Sequence, residues 1–142
     1  MDEDQRKVFD DWVNETIAKE LTSQGDLLPP WQKYPEIQAG SIGWRMGYGE
    51  AYMIAWDKWA SLRNQEQLLE YFKNYLPIPM DWLSWVSYRF GDKNIAHEFF
   101  SGGGNFDGIR WLDQQGLTDF SEFKSWYDSW YAEWQNRKGK KG

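Results

Sequence analysis

Arg45 and Glu50 stand in the densest glycine run of the chain, GSIGWRMGYGE over residues 40–50, with Trp44 and Tyr48 beside them. A glycine-rich approach to a helix start can turn free backbone N–H groups toward an anion, and an arginine there adds a forked contact to phosphate or carboxylate. Trp44, Arg45, Tyr48 and Glu50, with the single histidine His97, are therefore the candidate ligand-binding residues. The established phosphate patterns are absent. No G-K-[ST] follows the glycines, and Gly47-Tyr48-Gly49 lacks the third glycine of a dinucleotide fingerprint. Glu50 would repel an anion but pair readily with Arg45. The alternative expectation is a tight loop in which Arg45 and Glu50, partly buried, bridge neighbouring segments, and it is the favoured one.

His97 and Glu98 are adjacent, but a zinc-protease helix needs a second histidine three residues after the glutamate, where Ser101 stands. A general-base role through water is the chemistry left to His97, against the plainer reading of a polar surface histidine. The chain has no cysteine, which removes disulfides, thiolate metal sites and a cysteine nucleophile. The acidic set Asp2, Glu3, Asp4, Asp10, Asp11 and Glu15 reads as a solvated helix start favoured by the dipole, not as a metal site. No catalytic residue, metal or cofactor is assigned.

Charge narrows the partners. The net charge is -6, yet the last six residues, RKGKKG, hold four basic residues and no acid. Residues 1–136 therefore carry 12 basic against 22 acidic side chains, a net of -10. Such a body repels phosphate backbones, arguing against nucleic acid, and favours encounter with a basic protein partner. Glu66 and Glu70, one helical turn apart, are the candidate partner-binding residues. No apolar run approaches the roughly 20 residues that cross a bilayer, and MDEDQRK is unlike a signal peptide, so no membrane association and a cytoplasmic location are expected.

The elements that must position these residues read as helices. Phe120, Phe123, Trp126, Tyr127, Trp130, Tyr131 and Trp134 fall within an arc of about 140° at 100° per residue, which predicts a docked helix over 119–136 started by Asp119 and Glu122. A ladder of Trp126, Trp130 and Trp134 could stack sugars or bases, but one-sided aromatics are what a core requires, and core is favoured. Phe9, Trp12, Val13, Ile17 and Leu21 form the packing stripe of a helix over about 3–23. The proline-rich segment 26–40 reads as a surface connector anchored by Trp31 and Tyr34. Further helices are expected over 48–63, from Asn64 to Pro77, from Pro79 to Gly91, near 93–100 and over 107–115, with Ser41–Met46 as the one strand candidate.

The fold class expected is all-α: a single helical domain over 1–136, built as a bundle of about five to seven short helices with an aromatic-rich core and a glycine-rich loop at 40–50, followed by a flexible basic tail over 137–142. Aromatic residues at 19%, with 11 Trp, supply that core in a chain of low mean hydropathy, -0.82. The function expected is a small acidic protein-binding module, such as an inhibitor or immunity-type partner of a basic toxin or enzyme. The alternatives are a small-ligand or anion binder, or an enzyme, built on the 40–50 loop with Arg45 and Glu50, and carbohydrate binding through exposed tryptophan.

Overall fold

A computed structural model describes residues 1–139. Their secondary structure is all helical, with no strand among the described residues. Eight α-helices occur among them, one more than the upper expectation: α1 (Glu3–Glu20), α2 (Pro30–Lys33), α3 (Gly47–Ser61), α4 (Gln65–Lys73), α5 (Leu83–Arg89), α6 (Ile95–Ser101), α7 (Asp107–Gln114) and α8 (Phe120–Gly139). Short 3-10 turns cover Ile42–Trp44 and Met80–Trp82. The strand candidate Ser41–Met46 is thus a 3-10 turn and bend, because Ser41 caps it by accepting from the Gly43 amide at 3.2 Å. The extra helix is the single turn α2, begun by Pro30, whose missing N–H is no loss at a first helical position.

Polar side chains set several helix starts. Asp2 and Gln5 close a reciprocal capping box on α1, and Asn64 and Gln67 close another on α4, each with bonds of 2.8–3.1 Å. Asp119 accepts from the Glu122 amide at 3.0 Å and starts α8. The helix continues through Gly139, so Arg137 and Lys138 are helical, while residues 140–142 of the basic tail lie outside the described residues.

Packing divides the chain into two compact units, Met1–Leu68 and Leu69–Gly142. In the first, α1 packs on α3, and Val13, Leu27, Tyr52, Ala55 and Trp56 are buried. Part of the proline-rich connector is interior, which corrects its reading as a surface segment there: Leu27, Pro29, Pro30 and Trp31 are buried, and the Tyr52 hydroxyl donates to the Leu28 carbonyl at 2.5 Å. Lys33 joins it to α1 by an ion pair with Glu20, 2.5 Å.

In the second unit α5, α6, α7 and α8 surround Leu83, Val86, Ile109, Leu112, Phe123 and Tyr127, all buried. Phe106, just before α7, takes a left-handed backbone (φ 54°), unusual for a side chain of this size. Its ring is 1% exposed and meets Phe123 and Tyr127 edge-on at 5.2 and 4.6 Å, so aromatic burial offsets the local backbone cost. Ser87, a buried polar residue, donates to Asp92 Oδ2 at 2.9 Å and so closes the α5–α6 connection.

Candidate functional site

The glycines of 40–50 have conformational and packing duties. Gly40 and Gly47 adopt φ of 75° and 66°, the region glycine enters without strain. Gly49, in the first turn of α3, is buried, and a Cβ there would overlap the Gly43 carbonyl oxygen and sit 3.0 Å from Ile37 Cδ1. The helix therefore starts at Gly47 and its first turn lies directly against the preceding 3-10 turn. Gly40 and Gly47 thus serve backbone conformation, and Gly49 serves the close approach of two backbones.

Four of the ligand candidates lie in the first unit and His97 in the second. Trp44 is 7% exposed and donates its indole N–H to the Gln38 carbonyl at 3.1 Å, which makes it an anchor of the loop. Tyr48 is 54% exposed; its hydroxyl donates to Glu36 Oε2 at 2.8 Å, and its ring meets Tyr34 edge-on at 4.6 Å. The bond to Glu36 raises the Tyr48 phenol above the ordinary tyrosine range, with smaller contributions in the same direction from desolvation and from the charges of Glu36 and Tyr34. Arg45 and Glu50 are both exposed, and neither makes an ion pair or a side-chain hydrogen bond among the described residues. This corrects the expectation of a partly buried Arg45–Glu50 bridge. Glu50 lies in the first turn of α3, while Arg45 closes the 3-10 turn before the helix start.

His97 lies exposed on α6, whereas its neighbour Glu98 is half-buried, with Oε2 shut off from solvent and accepting no hydrogen bond. Adjacent helix positions diverge by about 100°, so a histidine oriented by the next carboxylate is not formed here. Glu66 and Glu70 stand exposed on α4, where helical spacing brings them to one face.

Two aromatic stripes differ from their expected burial. On α8, Phe123 and Tyr127 are buried, and the Tyr127 hydroxyl donates to the Phe99 carbonyl at 2.5 Å. Trp126, Trp130 and Trp134 are only half-buried, which corrects their assignment to the core proper. They stack along the helix at 6.3 and 5.8 Å with interplanar angles of 21° and 7°, and Phe99 lies 4.4 Å from Trp130. Phe100 lies 6.0 Å from Trp130 and 5.6 Å from Trp134, so these indoles pack against the rings of α6 as well as along their own helix.

On α1 only Val13 is buried, although Phe9, Trp12, Ile17 and Leu21 were expected to pack with it. Trp12 and Phe9 are 40% and 39% exposed, and Val8 is 69% exposed. All residues from Met1 to Trp12 are exposed. The signal available in the sequence was that Asp2, Glu3, Asp4, Asp10 and Asp11 crowd this end of the helix, where a docked face would leave little room for so many carboxylates.

No helix among the described residues is long and apolar enough to cross a membrane. No family model matches the chain, and no curated protein or solved structure is detectably similar to it.

Proposed function

We propose that the chain is a small acidic protein-binding module that engages a basic protein, in the manner of an inhibitor or immunity-type partner. The observation that carries this reading is the placement of acid: Asp2, Glu3, Asp4, Asp10, Asp11, Glu15, Glu66 and Glu70 are all exposed, in a body whose net charge is -10 over residues 1–136. Exposed like charge of this size accelerates encounter with a cationic partner and repels anionic ones. The protein-binding reading is preferred to a ligand site at 40–50 because backbone conformation and close packing already call for Gly40, Gly47 and Gly49.

The test is affinity capture from the native host with identification of whatever is retained. A retained basic protein whose binding weakens on charge reversal at Glu66 and Glu70 or at the acids of α1 agrees with this function. Retention of a small molecule, with no protein partner, contradicts it.

A further inference from the structure

We propose that the first half of α1 is the docking element of this module, and that Val8, Phe9 and Trp12 receive a partner helix with an apolar face flanked by Lys or Arg. The proposal rests on the protein-binding reading and names the surface and the partner chemistry. This segment keeps its helical form through its own local bonds. Asp2 and Gln5 close its capping box, Lys7 pairs with Asp11 at 3.0 Å, and the first buried side chain is Val13. An isolated helix of this length is marginal in water, but here it continues into the anchored second half of α1.

At 100° per residue, Val8, Trp12 and Phe9 span an arc of about 100°, and Asp4, Asp11 and Glu15 lie within about 60° of Val8 on one side. All six are exposed. Residues 1–15 hold six acids and two bases, Arg6 and Lys7; Lys7 pairs with Asp11, which leaves Asp4 and Glu15 as the unpaired carboxylates beside the strip. An apolar strip edged by carboxylates fits an amphipathic helix with cationic flanks, by the helix-on-helix form of recognition in which a central tryptophan commonly carries much of the affinity. A second copy of the same segment would set like acids against each other, and an anionic membrane surface is repelled for the same reason.

The probe is a synthetic 14-residue peptide of Leu and Lys, with Leu at three- and four-residue spacing. A peptide of the same composition with Leu spread around the helix is the comparison. Titration calorimetry and amide shift mapping on the full chain should show the amphipathic peptide binding at least tenfold more tightly, with shifts concentrated over residues 2–16. Val8→Ala with Trp12→Ala should weaken it at least tenfold while the protein stays folded with a small fall in melting temperature, since Val8 is 69% and Trp12 40% exposed. Equal binding of the two peptides overturns the proposal, because charge alone would then suffice. Binding that ignores Val8→Ala with Trp12→Ala but is lost on Glu66→Lys with Glu70→Lys overturns this surface and leaves the protein-binding reading standing. Failure of both peptides to bind overturns the surface and counts against the reading itself.

Discussion

Gly49→Ala should destabilise the protein, and its size follows from the contact between α3 and the 3-10 turn before it. The new methyl would overlap the Gly43 carbonyl oxygen and lie 3.0 Å from both the Gly43 carbonyl carbon and Ile37 Cδ1, where ordinary contacts run 3.4–4 Å. The obstacle is mostly backbone, so relief requires α3 or the turn to move rather than a side chain to swing aside. Overpacking of this kind costs about 1–3 kcal/mol. Against it stands the helix preference of alanine over glycine, up to about 1 kcal/mol in a helix interior and less in a first turn. The net expectation is a loss of about 1–2 kcal/mol, read by urea denaturation as a lower midpoint at unchanged slope. Gly43→Ala supplies a graded comparison, because its nearest neighbour is the Ile37 Cγ2 methyl at 3.0 Å, which has to give by only a few tenths of an ångström, and not a backbone oxygen. Its loss should be smaller. A Gly49→Ala protein as stable as the parent would refute the close-approach account and reopen the loop to a ligand role.

Arg45→Ala should leave stability within about 0.5 kcal/mol in the same denaturation assay, since the side chain is exposed and makes no side-chain hydrogen bond or ion pair among the described residues. Phe123→Ala removes a fully buried ring and should cost about 3–5 kcal/mol, whereas Trp130→Ala, half-buried in the stack, should cost roughly half as much; calorimetric melting orders the two. The Tyr48–Glu36 bond needs the protonated phenol, so the bond is fully present below the ordinary tyrosine range and is lost as pH rises through the raised Tyr48 value. Ultraviolet titration should accordingly lose a late-ionising tyrosine in Tyr48→Phe and show it ionising earlier in Glu36→Gln.

Helix positions were legible where glycine, proline or a capping pair marks a boundary. Asn64 with Gln67 starts α4 with the reciprocal bonds the spacing implies, and Asp119 starts α8. Depth within a helix was less legible. An apolar arc records which side of a helix is less polar, not how far along its length a neighbour reaches. On α1 packing begins at Val13, so Phe9 and Trp12 share the stripe's direction without its burial. On α8 the arc is wide enough that Phe123 and Tyr127 fill the interior while Trp126, Trp130 and Trp134 fall to its edge. The glycine run was misleading for a related reason. Close approach of two backbones and the cradling of an anion call for the same residue, and only the position of Gly43 relative to Gly49 separates them. Arg45 and Glu50 are five residues apart across a helix start, a place where sequence distance says little about side-chain direction.

The protein-binding account is tested most directly by stopped-flow association with the captured basic partner over a salt series. Screening lengths shrink from about 30 Å at 0.01 M to about 8 Å at physiological ionic strength, so steering by the -10 body fades while close contacts persist. The association rate should fall at least tenfold across that range, with a much smaller change in dissociation, and reversing charge at Asp4, Asp11, Glu66 and Glu70 should reproduce the effect of salt. An association rate indifferent to salt and to these reversals would contradict the account.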